Sequence, residues 1–245
     1  MLPVVILAGG LATRLYPVTR TLPKALIGIA GRPFIDHQLS LLRENGISQV
    51  VLCVGNFGEM IESHVGNGSR FGLDVNYSYD GEVLLGTGGA IKKASAMLPG
   101  TFLILYGDSY LDIDMEPVVQ KFNDTHLPAL MTVYRNRDAF DTSNIVVSGD
   151  RVARYDKKIR DPAMEYIDYG MIAIRRQVFD QYPAGEPFDL SIVLTRMAEE
   201  GNVAAFEVTK RFYEIGSVQG IKETEEYIRN RVARSSCRTE IHEKR

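Results

Sequence analysis

Apolar and polar positions in the first half of the chain form short apolar runs that alternate with longer amphipathic segments. The run Val4–Leu7 is continuous and apolar, which is typical of a buried parallel strand. Residues 34–45 then carry apolar side chains at helical spacing, and Gly46 ends that segment. The same order predicts strands at 49–54, 73–78 and 101–106, and helices near 60–65 and at 88–98. This alternation predicts an α/β protein with a mostly parallel central sheet.

The second half has a different pattern, with more segments suited to antiparallel pairing. We expect helices at 117–124, 189–200 and 217–234, strands at 129–135, 166–176, 203–208 and 211–215, and a hairpin at 144–157. Residues 235–245 are charged and lack an apolar period, which predicts a frayed tail. The sequence therefore predicts one domain over residues 1–234, with two halves that meet near residue 115.

Composition narrows the class of protein without identifying it. The chain has 245 residues, of which 45% are hydrophobic and 24% charged, enough for one large core. The net charge of −3 gives no general attraction for nucleic acid or anionic membranes, so neither is an expected partner. No segment approaches the roughly 18 apolar residues of a membrane span, and we expect no leader. Cys53 and Cys237 suggest no disulfide framework, which favours a cytoplasmic location.

The loop after the first strand carries the strongest chemical signal. Gly9 and Gly10 allow the backbone to approach a ligand closely, because a side chain at either position would obstruct it. Thr13, Arg14 and Lys24 follow in a long polar loop, where Arg14 offers a forked donor and Lys24 a compact positive charge. An anionic ligand such as a phosphate is the natural partner for this loop.

The stretch LAGGLATRLYPVTRTLPKAL resembles the signature of the sugar-1-phosphate nucleotidyltransferases. Similarity continues through LGTGGAI, YGDSYLDID and RFYEIGS, and so covers nearly the whole chain. One departure is Ala12, which stands where the family commonly has its third glycine and is expected to stiffen the loop. The resemblance implies a Rossmann-like three-layer fold with a nucleotide-binding half (1–115) and a smaller antiparallel half on the sugar side (116–234).

The resemblance also implies which residues bind the nucleotide. The segment LGTGGAI opens a helix with glycines, and such a start offers free backbone amides to a ligand. In the family this segment and the first loop lie on opposite sides of the nucleoside. The implied nucleotide-binding residues are Leu7, Ala8, Gly9, Gly10, Thr13, Arg14, Gly86, Thr87 and Gly88.

A carboxylate directly after a buried strand suits a magnesium ion, because Mg²⁺ prefers oxygen ligands together with substrate phosphates. The family pattern assigns this role to Asp108, and it places a second acidic ligand where this chain has Glu214 instead of aspartate. Metal binding by Glu214 is favoured, and a structural salt bridge is the alternative. Asp112 and Asp114 are not expected to bind the metal. The cofactor implied is Mg²⁺, with Mn²⁺ as a substitute.

Two further segments, YDKK and IDYG, match the sugar side of the family pattern. A lysine at the end of a strand binds the sugar phosphate, and either Lys157 or Lys158 can supply it. Strand alternation favours Lys157, because it shares parity with the inward-facing Tyr155. Asp168 and Gly170 are the implied contacts to the sugar. Asn144 is included with them, although a solvent-exposed hairpin explains that residue better.

The implied reaction joins a nucleoside triphosphate to a sugar-1-phosphate and releases pyrophosphate. Catalysis is assigned to Arg14, Lys24 and Asp108, with Arg14 on the leaving pyrophosphate and Lys24 and Lys157 on the reacting phosphates. GTP with a heptose- or mannose-type 1-phosphate is favoured. A uridylyltransferase acting on N-acetylmuramic acid or hexose 1-phosphate is the alternative. A glycosyltransferase of related architecture, a silent nucleotide sensor and homo-oligomerisation also stay open.

Overall fold

The computed structural model describes the backbone of residues 1–242 and the side chains of residues 1–234. The described backbone forms thirteen strands and six α-helices. The strands are β1 Val4–Leu7, β2 Gly28–Ile29, β3 Arg32–Pro33, β4 Gln49–Val54, β5 Asp74–Tyr79, β6 Thr101–Tyr106, β7 Ser109–Tyr110, β8 Ala129–Arg135, β9 Ile145–Ser148, β10 Arg151–Tyr155, β11 Tyr166–Arg175, β12 Val203–Val208 and β13 Tyr213–Glu214. The helices are α1 Phe34–Glu44, α2 Gly58–Val65, α3 Gly86–Ala94, α4 Glu116–Asp124, α5 Leu190–Glu199 and α6 Val218–His242.

Nine of these strands form one continuous sheet in the order β5-β4-β1-β6-β11-β8-β12-β10-β9. β1 pairs in parallel with β4 on one side and with β6 on the other. Leu7, the last residue of β1, lies opposite Cys53 and Tyr106. The carboxyl ends of the three parallel strands β4, β1 and β6 therefore lie side by side.

The second half of the chain joins the same sheet through β11, which runs antiparallel to both β6 and β8. β12 is parallel to β8, and β10 is antiparallel to β12 and to β9. The predicted α/β fold is thus confirmed, and its sheet is mixed, with parallel pairing in the first half and, apart from the parallel pair β8 and β12, antiparallel pairing in the second. The division of the domain near residue 115 stays a prediction.

Alternation along β1 explains the three layers. Val4 and Ile6 pack into a core with apolar residues of α1, α2 and α4, while Val5 packs into a second core with residues of α3 and α5. Side chains of successive strand residues point to opposite faces, so a strand that is apolar throughout must be covered on both. The helices accordingly form a layer on each side of the sheet.

A smaller cluster attaches α6 to the edge of the sheet where the parallel strands end. β7 pairs antiparallel with β13, which sets Glu214 opposite Ser109. Ile215, Tyr110 and Ile228 of α6 are buried together in this cluster. The two-stranded sheet of β7 and β13 therefore fixes the position of Glu214 relative to the end of β6.

Most predicted elements are present, and the differences lie at their ends. The helix predicted at 88–98 begins two residues earlier and ends at Ala94, where a 3₁₀ turn over Ser95–Met97 follows. The strand predicted at 211–215 is only Tyr213–Glu214. The last helix was expected to end near Arg234, but its backbone continues to His242, so that boundary is wrong. The frayed tail stays a prediction. Residues 243–245 lie outside the described residues.

Candidate active site

A cavity of about 260 Å³ lies at the carboxyl ends of β1, β4 and β6. We call it the first cavity. Its lining includes six of the predicted nucleotide-binding residues: Leu7, Ala8, Gly9, Gly10, Gly86 and Thr87. Ligands of open α/β sheets bind outside the carboxyl ends of the strands, which is where this cavity lies.

The two glycines after β1 differ in how much space a side chain would have at their positions. A Cβ on Gly9 would lie 2.9 Å from the backbone nitrogen of Gly55, so the neighbouring chain excludes a side chain there. A Cβ on Gly10 would meet no atom within 4 Å. Gly9 is therefore required by the packing of the loop, whereas Gly10 leaves open space beside the first cavity.

Ala12 keeps the backbone conformation that a glycine adopts easily. Its φ and ψ are 50° and 42°, in the left-handed region, where a side chain costs about 1–2 kcal/mol. The carbonyl of Ala12 accepts hydrogen bonds from the Thr19 hydroxyl at 2.8 Å and the Leu15 amide at 3.0 Å. These bonds hold Ala12 in this strained conformation, so the loop here has a left-handed residue without a glycine.

The glycines of α3 are needed for packing more than for ligand binding, which corrects the prediction of free amides. The amides of Gly88 and Gly89 both donate to the Phe188 carbonyl, at 2.9 and 3.3 Å. A Cβ on Gly88 would overlap the Phe188 ring. Thr87 faces the first cavity, and its hydroxyl accepts from the Leu190 amide at 2.8 Å. Gly88 itself is not among the residues that line the first cavity, and its contact with the nucleotide stays a prediction.

Thr13 and Arg14 also lie elsewhere than predicted. Thr13 is exposed, and it is not among the residues that line the first cavity. Arg14 lines a neighbouring cavity of about 460 Å³, which we call the second cavity. The loop turns between Ala12 and Leu15 in a short 3₁₀ segment, which directs these two side chains away from the first cavity.

Asp108 lines both cavities, together with Tyr106 at the end of β6. Its Oδ2 accepts a hydrogen bond from Lys24 Nζ at 2.8 Å. The Asp108 side chain is 31% exposed and the Lys24 side chain 18%, so the pair is accessible from the cavities yet partly shielded. A carboxylate and an ammonium group therefore stand together where the two cavities meet.

Glu214 approaches the same point from β13. An atom in the position of a Cβ on Gly216 would lie 2.5 Å from Glu214 Oε2, 3.1 Å from Arg14 Nη2 and 3.5 Å from Asp108 Oδ2. Both oxygens of Glu214 also have local partners, because the Gly216 amide donates to Oε2 and the Ser217 hydroxyl donates to Oε1 at 2.9 Å. The structure thus brings both predicted carboxylates and Arg14 together around Gly216.

The second cavity contains most of the residues predicted for the sugar side. Lys157 is among its lining residues, and its Nζ lies 5.3 Å from the centre of the Tyr106 ring. Lys158 is exposed outside the cavity, and its amide donates to Asp156 at 2.7 Å. The favoured lysine, Lys157, is therefore the one that lines the cavity, although both lysines lie beyond the end of β10.

Asp168 is held firmly in the wall of the second cavity. Its carboxylate accepts from the Tyr106 hydroxyl at 2.9 Å and from the Gly170 amide at 3.0 Å. Burial raises the pKa of Asp168, although Lys157 and the two hydrogen bonds oppose that rise. Asn144 lines the cavity and its Oδ1 accepts from the Asp168 amide at 3.2 Å. Asn144 is therefore not merely a solvated hairpin residue, because it orients the backbone at Asp168.

Sequence reasoning missed several cavity residues. Asp80 lines the first cavity, and its Oδ2 accepts from the Leu85 amide at 3.2 Å. Asp80 is the first residue after β5, and Asp108 is the second residue after β6. A carboxylate just after a strand could therefore have marked Asp80 in the sequence. Phe140 and Phe212 also line the second cavity. Phe212 belongs to the segment RFYEIGS, which matches the family, whereas no sequence signal marked Phe140.

Among the residues whose side chains are described, no three or more His, Cys, Asp or Glu residues are grouped so that they could hold a metal ion. Asp112 is engaged with Lys210 at 2.6 Å and Tyr227 at 2.5 Å, and Asp114 accepts from the Glu116 amide at 3.0 Å. Every helix in the described part of the chain is too short or too polar to cross a membrane.

Comparison with known proteins agrees with this geometry. The family model described as Nucleotidyl transferase matches residues 3–231. The chain belongs to this family. Because the match extends over both halves of the sheet, it includes the first and second cavities together.

Among curated members of the nucleotidyl transferase family, a UTP--glucose-1-phosphate uridylyltransferase of Synechocystis is 29% identical over 76% of this chain and 52% of its own length. A D-glycero-alpha-D-manno-heptose 1-phosphate guanylyltransferase of Campylobacter jejuni is 27% identical over 86% of this chain and 93% of its own length. The chain thus spans about half the length of the first relative and nearly all of the second. HddC from Yersinia pseudotuberculosis, crystallised with GMP-PN, has a TM-score of 0.80 at 24% identity and covers 93% of this chain and 100% of its own, which confirms the fold.

The different roles of the glycines generate a prediction about stability. Gly88→Ala places a methyl group against the Phe188 ring, so it should lower the free energy of unfolding by about 1–3 kcal/mol. Gly10→Ala, where nothing lies within 4 Å, should change it by less than about 0.5 kcal/mol. Urea unfolding of both variants measures the difference. Equal stability of the two would contradict the packing role of Gly88.

Proposed function

We propose that this chain transfers a nucleoside monophosphate from a nucleoside triphosphate to a sugar-1-phosphate and releases pyrophosphate. The observation that carries the proposal is that two cavities adjoin, with Tyr106 and Asp108 in the lining of both. The first takes the nucleotide between the loop after β1 and the start of α3. The second takes the sugar-1-phosphate. The reacting phosphates then meet beside Asp108.

Charge explains how these residues assist the reaction. The attacking phosphate oxygen of a sugar-1-phosphate is already an anion at neutral pH, so the transfer requires no general base. The chain instead has to hold two polyanions together and stabilise the charge that develops on the transferred phosphorus. Lys24, at the junction of the cavities, is suited to the reacting phosphates, and Lys157 to the phosphate of the sugar.

Arg14 has a different position from the one that its proposed role in binding pyrophosphate suggested. It lines the second cavity, and its Nη2 lies beside the Glu214 carboxylate near Gly216. We assign it to the phosphates at the junction of the cavities, where its forked donors bind oxygens from either substrate. Thr13 and Gly88 receive no direct contact in this proposal.

The two carboxylates fit a magnesium ion. Mg²⁺ is commonly held by one or two carboxylates together with substrate phosphates and water, and Asp108 and Glu214 supply two that converge at Gly216. Bound Mg²⁺, or Mn²⁺ in its place, would neutralise charge on the phosphates. Lys24 balances the charge of Asp108 in the structure, at 2.8 Å.

Asp80 favours GTP as the nucleoside triphosphate. Guanine presents two neighbouring N–H donors on its pairing edge, and an ionised carboxylate accepts from both. Uracil presents one N–H between two carbonyl oxygens, which a carboxylate repels. Asp80 is the carboxylate in the first cavity besides Asp108. With a guanylyltransferase of a heptose 1-phosphate among the relatives, we propose GTP and a heptose- or mannose-type 1-phosphate, and keep UTP as the alternative.

The other classes of function have less support. A glycosyltransferase needs a pair of aspartates at a strand end, but Asp112 is engaged with Lys210 and Tyr227, and Asp114 with the start of α4. A silent nucleotide sensor was suggested by Ala12 and Glu214, yet Ala12 keeps the glycine-like backbone and Glu214 reaches the second cavity. A cytoplasmic location and a homo-oligomer remain part of the proposal.

The first test of the proposal concerns Asp108. Asp108→Asn should keep the fold but reduce pyrophosphate release about a hundredfold or more, because a group that stabilises charge at the junction of the cavities is lost. Release is measured with several triphosphates against a panel of sugar-1-phosphates, with Mg²⁺ or Mn²⁺ and with a chelator. Asp114→Asn, a similar change outside both cavities, serves as the control and should retain wild-type rates. A fully active Asp108→Asn enzyme would remove Asp108 from the reaction.

The second test orders two substitutions of Glu214. Glu214→Asp keeps the charge and should retain part of the activity with an altered preference between Mg²⁺ and Mn²⁺. Glu214→Gln keeps the size but loses the charge, so it should be the less active of the two. Glu226→Gln, on an exposed position of α6, is the matched control. If Glu214→Gln keeps wild-type turnover and metal dependence, Glu214 acts only through its bonds to Gly216 and Ser217.

The third test addresses the nucleobase. Asp80→Asn replaces one acceptor oxygen by a donor but keeps an oxygen for the Leu85 amide, so the loop should stay intact. We expect kcat/KM for GTP to fall about 10- to 100-fold relative to kcat/KM for UTP. Asp74→Asn, at the exposed start of β5, should leave the ratio unchanged. An unchanged ratio in Asp80→Asn would place base recognition on other groups.

A further inference from the structure

The loop between β8 and β9, residues 136–143, has an unusual backbone. Arg137 and Asp138 are consecutive non-glycine residues in the left-handed region, with φ of 46° and 58°. Residues in such conformations cost free energy and persist only where their surroundings hold them. The loop therefore depends on specific contacts for its shape.

Asn136 supplies most of those contacts. Its side chain is buried, and its Nδ2 donates to the Asp141 carbonyl at 2.5 Å and to Ser143 Oγ at 3.2 Å. Its Oδ1 accepts from the Phe140 amide at 3.2 Å. Ser143 also exchanges hydrogen bonds with Asp138, at 3.0 and 2.7 Å. The buried side-chain amide of Asn136 thus fixes the backbone of the loop around Phe140.

The loop presents the Phe140 ring at the surface. Phe140 is 44% exposed, which is high for an aromatic side chain, yet its ring is held by neighbours. The guanidinium carbon of Arg211 lies 3.9 Å from the ring centre, and the Tyr134 and Phe212 rings lie at 6.1 and 6.3 Å. A fixed, partly exposed aromatic ring is typical of a binding surface.

Phe140 also stands between two hollows. It lines the second cavity, and it lines a third cavity of about 330 Å³ on the side of Arg211 and Glu223. Phe212 is shared by both cavities as well. Residues that line two adjoining hollows form the partition between them. The two phenylalanine rings are therefore the apolar part of that partition.

We propose that Phe140 is a specificity-determining residue, a wall that packs against the sugar of the sugar-1-phosphate and limits the size of sugar that the second cavity accepts. The inference rests on the proposed function, and it assigns the second cavity a pyranose with an apolar face against the ring. Removal of the ring widens the second cavity towards the third, with Phe212 still between them. Both contact with the preferred sugar and discrimination against bulkier sugars are then lost.

The experiment compares wild type, Phe140→Ala and Phe140→Leu in pyrophosphate release at saturating triphosphate. The substrates are a hexose, a heptose and an N-acetylhexosamine 1-phosphate, which differ in bulk. For Phe140→Ala we expect KM for the sugar-1-phosphate that wild type uses best to rise about tenfold. The ratio of kcat/KM for a bulkier sugar to kcat/KM for that sugar should rise at least about tenfold. KM for the triphosphate should change less than about twofold. Phe140→Leu, which keeps apolar bulk without the ring, should be intermediate and covers the case in which the alanine variant does not fold.

Phe71→Ala is the matched control, because its ring also lies under an arginine, Arg70 at 4.4 Å, but outside both cavities. It should leave every KM and every ratio unchanged. Unchanged sugar KM and ratios in both Phe140 variants overturn the inference while the proposed function stands. An equal loss for all sugars also overturns it, because Phe140 would then only support the loop. No pyrophosphate from wild type with any sugar-1-phosphate contradicts the proposed function and the inference together.

Discussion

The parallel pairing of β1 between β4 and β6 is the constraint on which the rest of the site depends. The last residues of the three strands lie side by side, so the loops that follow them must share a narrow space. A Cβ on Gly9 would crowd Gly55, and a Cβ on Gly107 would overlap the Leu7 carbonyl, whose oxygen accepts from the Gly107 amide at 3.0 Å. Because those positions are glycines, the loops after the strands can pack closely at the carboxyl ends of β1, β4 and β6 and enclose the first cavity there.

The second half of the chain completes the site through β11. Its antiparallel pairing with β6 places Asp168 within reach of the Tyr106 hydroxyl. The pairing of β11 with β8 shifts register between Asp168 and Ile172, where Gly170 has a φ of 109°. A bulge of this kind redirects side chains next to a site. The irregular part of β11 thus forms one wall of the second cavity, beside the first.

Charge distribution then gives the junction its chemical character. Asp108, Glu214, Lys24 and Arg14 come from three segments, with both cations in the loop after β1, and they meet where the two cavities adjoin. Opposite charges in a partly shielded place attract more strongly than they would in bulk water. The arrangement suits a reaction between two polyanions, since it offers cations to the phosphates and carboxylates to a divalent ion. The net charge of the whole chain, −3, gives no hint of this local concentration.

The sequence by itself determined the α/β class, the position of most elements, and the local motifs after β1 and β6, because these depend on periodicity and on residue types close together in the chain. Strand alternation, a local rule, also favoured Lys157, which lines the second cavity, and its contact with the sugar phosphate stays a prediction. Only the tertiary structure decided that the Gly88 and Gly89 amides are used by Phe188 and that Arg14 lies in the second cavity. Phe140 likewise became a site residue only through folding, because no local pattern marked it. The physical reason is that such contacts join residues far apart in the chain, and a local pattern carries no record of which distant backbone or ring will occupy the space beside it.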